Sequence, residues 1–298
     1  MNRRTFLAGA ALVPLAAVGA PAAGVPPAGA RRRNTLCLFT KPFESLGYEA
    51  LAQTVAGLGV DGIEATIRPG GHIVPEKVEE ELPKMLAALK KRGLEMTIMT
   101  TGITSTKDAP GVKQLRTAAA LGIRRYRLGY FRYDLAKPVL AQLDGLRAQV
   151  KELAALNAEL GLQALYQNHS GRGYVGAPLW DLQRLFEGID PRHMAVAFDL
   201  GHATAEGTGS WETQFNVIRP HLGVVYVKSF RWTNNRLDWG PLADGIVDRQ
   251  FLKRLVQSGY TGPINLHEEY IDHRDPKLVP QHIEAYRRDL ATLREWLT

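Results

Sequence analysis

Eight short apolar runs recur along the chain, at residues 36–40, 63–67, 94–101, 124–130, 162–167, 194–199, 222–228 and 263–267, and each is followed by a stretch with helical spacing. Those stretches fall at 48–58, 75–92, 112–121, 139–160, 179–186, 211–218, 251–257 and 282–297. Short apolar strands alternating with helices build a parallel sheet, because the chain must cross back over the sheet before each new strand and a helix covers the face on the way. Gly59, Gly93, Gly122, Gly161 and Gly259 each stand between a helical stretch and the next run, where helices end by turning one residue into the left-handed region. Eight such units fit one closed (β/α)8 barrel, a single domain over residues 35–298. An open doubly wound sheet is the alternative. No Gly-x-Gly-x-x-Gly follows the first run and no Walker loop is present, so nothing points to a dinucleotide or a nucleotide phosphate.

The start of the chain stands outside this pattern. Arg3 and Arg4 precede Phe6, Leu7 and an Ala-rich apolar run over 8–18, and Val18, Gly19 and Ala20 offer small residues for cleavage. This is the form of a twin-arginine secretory signal over residues 1–20. A membrane anchor is the competing reading, but the run carries Pro14 and is shorter than the ~20 residues a bilayer span needs. Residues 21–34, rich in Pro, Gly and Arg, read as an unstructured linker. Export to the periplasm is therefore expected, with no stable membrane insertion after the signal is removed, and any metal would be loaded before a folded protein is secreted. The formal net charge is +7, but Arg3, Arg4 and Arg31 to Arg33 supply five of those charges. The barrel itself is close to neutral, which excludes a basic nucleic-acid footprint. With Cys37 as the sole cysteine, no intramolecular disulfide forms.

In a barrel the C-terminal strand ends open on one mouth, where catalytic side chains gather. The second run supplies Glu64, the fourth Tyr130 and Arg132, and the fifth Gln167, Asn168 and His169. The sixth supplies Asp199 and His202, the seventh Tyr226 and Lys228, and the eighth His267, Glu268 and Glu269. Residues two apart share a face, which pairs Gln167 with His169, Tyr226 with Lys228, and His267 with Glu269. Carboxylates such as Asp199 and Glu269 beside histidines and amides suit a divalent ion: Mn, Mg, Co or Zn. Helix N-caps or surface ion pairs are the competing roles for any one of these residues. For Lys228 that competing role is an ion pair with Asp199 or Glu64. Arg68, His72 and Arg132 are candidates to bind substrate oxygens. Residues 231–247 are long enough for a lid, in which Trp232 or Trp239 would stack on a ligand, while Trp180 reads as a helix-packing residue.

Four segments in order, Tyr166-Gln-Asn-His-Ser-Gly171, Phe198-Asp-Leu-Gly-His-Ala203, Val225-Tyr-Val-Lys-Ser229 and Leu266-His-Glu-Glu-Tyr270, resemble the xylose isomerase-like TIM barrel family, often labelled sugar phosphate isomerase/epimerase. The resemblance implies a metal set of Glu, Asp, His and Glu on strands five to eight. Asp199 and Glu269 match that set; Gln167 and Tyr226 stand at the other two positions. The expected metal ligands are then Asp199, Glu269, Gln167 and His202. The expected acid–base residues are Glu269, His202, Lys228 and His169, and the expected substrate contacts Glu64, Arg68, Arg132, Asn168, Trp232 and His267. Epimerisation in this family resembles a two-base reaction, and an amide cannot take a proton, so Gln167 removes one of the two bases.

What remains is chemistry with one base, a polarised carbonyl and a general acid, which passes through an enolate. The leading expectation is a metal-dependent isomerase or epimerase for an unphosphorylated sugar or keto-sugar. A β-eliminating lyase of 3-keto-glycosides is the first alternative. A non-catalytic sugar-binding barrel is suggested by Gln167 and Tyr226. A metal hydrolase of the endonuclease IV type is disfavoured by the near-neutral barrel and the export signal. The partner implied is a small carbohydrate, and a homo-oligomer is left open.

Overall fold

The structure, a computed structural model, describes residues 34–298; the expected signal over 1–20 and residues 21–33 of the expected linker lie outside the described residues. The eight apolar runs are strands β1 (Leu36–Phe39), β2 (Gly62–Thr66), β3 (Glu95–Thr100), β4 (Arg125–Arg127), β5 (Gln163–Gln167), β6 (Met194–Asp199), β7 (Leu222–Val227) and β10 (Ile264–Leu266). They are all parallel and close into a barrel in the order β1-β10-β7-β6-β5-β4-β3-β2. Among the described residues the fold is therefore the expected single-domain (β/α)8 barrel.

Around it lie α1 (Tyr48–Gly57), α2 (Val78–Lys91), α3 (Ala109–Ala120), α4 (Val139–Leu160), α5 (Trp180–Phe186), α6 (Leu200–Gly207), α7 (Trp211–Ile218), α8 (Arg249–Gln257) and α9 (Val279–Leu297). The five glycines expected to end helices all have positive φ, between 67° and 94°. Two elements depart from the sequence reading. Helix α6 starts at once after β6 because the Asp199 carboxylate caps it, accepting from the His202 backbone N–H at 3.0 Å. Residues 231–247, read as a loop, hold most of a hairpin of β8 (Ser229–Thr233) and β9 (Arg236–Gly240). Its turn puts Asn234 and Asn235 at φ 50° and 58°, the left-handed pair that a tight hairpin turn requires and asparagine tolerates.

Alternation along β6 shows how the barrel places its mouth. Ala195 and Ala197 sit with Ile98, Leu165, Val224 and Tyr226 in one buried cluster, and Val196 and Phe198 sit in the larger cluster shared with the helices. Small residues fit the inside because eight strands leave a lumen only wide enough for side chains. At Gly223 an added Cβ would lie 2.7 Å from a Leu165 methyl and 2.9 Å from the Ala195 Cβ, so a side chain there would force the packed interior to shift. Outside, leucines such as Leu51, Leu82, Leu115, Leu153 and Leu290 are buried against the strands, each stabilising by roughly 1.5–3 kcal/mol. Register brings Asp199 opposite Tyr226, and Tyr226 opposite Asn265. Above that level the barrel interior turns polar.

Candidate active site

Two buried networks meet at the mouth. On the β2 and β4 side, Glu64 is fully buried and accepts from Arg127 Nε at 3.0 Å, from His267 Nε2 at 3.1 Å, and from the Thr100 hydroxyl and the Asn265 amide. Burial alone would raise the Glu64 carboxyl, but Arg127 and His267 hold it below its ordinary value. Arg127 donates onward to the Tyr130 hydroxyl at 2.7 Å and to the Gln167 side-chain oxygen. His267 is clamped between the rings of Phe39 and Tyr226, at centroid distances of 4.6 and 4.4 Å.

On the β6, β7 and β10 side the centre is Lys228. Its ammonium lies 2.5 Å from Glu269 Oε2, 3.3 Å from Asp199 Oδ2 and 2.9 Å from His202 Nε2, with the Trp239 ring 4.6 Å away. Burial opposes the charge, yet Asp199 and Glu269 raise the lysine above its ordinary value, so it stays an ammonium. Asp199 is fully buried; burial pushes its carboxyl up, but His202 and Lys228 bring it down to about 2. Glu269 is likewise held well below the carboxylate range, burial being outweighed by Lys228 and His267.

Gln167 joins the two sides. Its oxygen accepts from Arg127 and, at 2.5 Å, from Tyr130, while its nitrogen donates to Asp199 Oδ2 at 2.7 Å. Only an amide does both, since a carboxylate here would repel Asp199.

The two site histidines differ in whether a nitrogen is free. A lysine ammonium only donates, so His202 Nε2 accepts from Lys228 and Nδ1 carries the proton given to Ser170 Oγ at 2.8 Å. His169 donates from Nδ1 to the Ser170 carbonyl at 2.7 Å, which leaves Nε2 unprotonated and without a hydrogen-bond partner among the described residues. Its ring stacks between Tyr174 and His202, at 4.4 and 3.9 Å. Burial and then the Lys228 charge lower its basicity from the ordinary histidine value, so it is neutral at pH 7. His169, Lys228 and Glu269 line one cavity of about 140 Å³ with Gln167, Tyr130 and His267.

Other expected site residues are placed differently. Asn168 does not face the cavity: its amide grips the Asp199 backbone, accepting from the N–H at 2.7 Å and donating to the carbonyl at 3.0 Å. Arg132 lies over the Tyr174 ring at 3.2 Å and bonds the Arg172 carbonyl, away from the cavity wall. Trp232 is 46% exposed on the hairpin; the tryptophan that reaches the site is Trp239, edge-on to His202 at 5.1 Å. Glu64 is sealed beneath the cavity. Glu268 points away from the mouth, toward His282, as alternation requires. Arg68 does line the cavity, joined by Arg127 and Lys41, neither of which was singled out from the sequence. An arginine two residues along the same strand from Arg125, with Tyr126 between them, was the available signal.

Fold and mouth together define a (β/α)8 barrel that gathers acid–base side chains at its C-terminal strand ends. The model of the xylose isomerase-like TIM barrel matches residues 52–296, and the chain belongs to that family. Similar solved structures include 3-keto-D-glucoside 4-epimerase from E. coli (20% identity, TM-score 0.65, covering 88% of this chain and 100% of that one). D-psicose 3-epimerase from Clostridium cellulolyticum H10, with D-tagatose, is 14% identical (TM-score 0.68, 88% and 99% covered). A xylose isomerase-like TIM barrel protein from Mycobacterium smegmatis, in complex with magnesium, is 15% identical (TM-score 0.63, 89% and 98% covered). At these identities the likeness shows the fold. No curated protein matches the chain.

The side chains present do not fit a divalent ion of the kind expected from the sequence. The place between the Asp199 and Glu269 carboxylates is taken by the Lys228 ammonium. The Gln167 oxygen and His202 Nε2 already accept hydrogen bonds, and burial holds the Tyr226 hydroxyl protonated, well above its ordinary value. Among the described residues no group of three His, Cys, Asp or Glu side chains is arranged to hold an ion.

Proposed function

We propose that the protein acts on an unphosphorylated sugar or keto-sugar by removing a proton from the carbon beside a carbonyl, with His169 as the base and Lys228 as the fixed charge that stabilises the enolate. The observation that carries this is the free Nε2 of a neutral His169 in the same cavity as a buried, permanently charged Lys228. A neutral imidazole is a better base at pH 7 than Glu269, whose carboxylate is held down by Lys228. As the proton leaves, charge gathers on the carbonyl oxygen. The Lys228 ammonium supplies a positive charge at that oxygen, and it needs no reorganisation because Asp199 and Glu269 already hold it in place. Returning the proton to a neighbouring atom or the opposite face gives an isomer or an epimer. The names of the similar structures support a carbohydrate substrate.

A second reading, β-elimination from a keto-glycoside, is favoured by the single free basic nitrogen: one histidine can take the α-proton and return it to the departing oxygen. The expected divalent ion takes no step in either reading. Export by the twin-arginine route to the periplasm is proposed from Arg3 and Arg4; retention in the cytoplasm of a variant with both changed to lysine is the expected outcome of fractionation.

The test is proton exchange in D2O, followed by NMR with D-fructose, D-psicose and a 3-keto-glucoside. Deuterium at the α-carbon, abolished by His169→Ala, is expected. Binding without exchange for every one of these sugars would leave only the sugar-binding barrel.

A further inference from the structure

Four cationic side chains line the cavity: Lys41, Arg68, Arg127 and Lys228. Two are accounted for, Arg127 by Glu64 and Lys228 by Asp199 and Glu269. The other two are not: among the described residues neither the Lys41 ammonium nor the Arg68 guanidinium forms a hydrogen bond or an ion pair. Both are half-buried: burial and then Arg127 disfavour the charge on Arg68, and burial disfavours the charge on Lys41, where Glu269 across the cavity favours it and Arg68 opposes it. Partly desolvated cations without partners, facing a concavity, are what an anion site looks like before its ligand arrives.

We propose that Lys41 and Arg68 form a carboxylate subsite, so that the substrate is an acidic sugar of the uronate class, held by its carboxylate at these two residues. This rests on the reading that the cavity binds a carbohydrate, and names which kind. Lys41 follows β1 and Arg68 follows β2, and in the barrel order β1 and β2 stand across from β5 and β6, which carry His169 and Asp199. A ligand anchored at the first pair therefore spans the mouth, its other end against the base. The charge count favours a monoanion. Glu44 is close enough to act on both cations, but it accepts from the Thr66 hydroxyl at 2.5 Å and is not part of the cavity wall. The four cations of the cavity stand against Glu64, Asp199 and Glu269, which leaves one positive charge to be matched, as a carboxylate does and a phosphate dianion exceeds.

Calorimetric titration with D-glucuronate and D-galacturonate, each beside its neutral parent sugar and beside D-glucose 6-phosphate, tests this. At least one uronate is expected to bind tenfold or more tightly than its parent, with the preference shrinking as salt is raised. Arg68→Gln and Lys41→Met should bring that uronate to parity with its parent, while Arg68→Lys retains most of the preference; circular dichroism of each variant excludes misfolding. Parity in the wild-type protein, no binding of either uronate, or tighter binding of D-glucose 6-phosphate would each overturn the proposal. Failure here is separable from failure of the proton-transfer reading: selective uronate binding without deuterium exchange sinks only that reading, and exchange on neutral ketoses without uronate binding sinks only the subsite.

Discussion

The mouth holds two buried ion pairs built from the same chemistry and left in different states. Around Glu64 and Arg127 the hydrogen bonds are taken up within the protein: by Thr100, Asn265 and His267 on one partner, and by Tyr130 and Gln167 on the other. Around Lys228 they are not, because Glu269 keeps 28% of its side chain exposed and His169 keeps one nitrogen free. A closed pair acts as scaffold and an open one offers chemistry. Gln167, bonded to both, transmits the order of the first to Asp199 in the second.

Replacing Lys228 should separate the two sides most sharply. Lys228→Met is expected to lower the exchange rate by about 10²–10³-fold and to cost on the order of 3–5 kcal/mol by leaving Asp199 buried beside uncompensated charge, as read by NMR exchange and urea unfolding. Glu64→Gln should cost on the order of 3 kcal/mol, by stranding Arg127, but slow exchange far less per folded molecule; a loss of rate as large as that of Lys228→Met would erase the distinction between the two sides.

A smaller effect is expected at Gly201, in the first turn of α6. A Cβ there would lie 2.9 Å from Lys228 Cγ and 3.0 Å from the Trp239 ring, so Gly201→Ala should shift the lysine and cut the rate about tenfold, while lowering stability by about 1–3 kcal/mol. Rate unchanged beside a normal melting curve would show that the position of Lys228 does not matter.

The least effect concerns pH at the rim of the closed side. His72, bonded to the Thr40 carbonyl and hydroxyl at 3.0 Å, is lowered to about 4 by burial, against that backbone bond. The unfolded chain protonates its histidine first as the pH falls, so this contribution is complete above about 6.5 and is lost as the pH falls toward 4. His72→Gln should flatten the fall in melting temperature across that window.

Much of the barrel was legible because its signals are local. Helix-ending glycines, apolar runs of strand length and the two-residue alternation depend on near neighbours, and alternation put His267 with Glu269, both of which line the cavity, whereas Glu268, gathered with them from the strand end, turns toward His282. The chemistry of the mouth was less so, because it is decided by contacts across the barrel. Asp199, Lys228 and Glu269 could be gathered from their strand ends, but not that the lysine stands where a divalent ion was expected. Asn168 looked like a substrate contact because nothing in the sequence shows it bound to the backbone of the next strand. Arg127 was hidden within an apolar run, and Lys41 in a turn.

In the proposed reaction the positive charge at the reacting carbonyl is Lys228 and not a divalent ion. The most direct test is deuterium exchange on the same ketoses before and after exhaustive chelation, with elemental analysis of the protein. Exchange that survives chelation and disappears in Lys228→Met is the expected result; exchange lost on chelation and restored by manganese, cobalt, magnesium or zinc would contradict it.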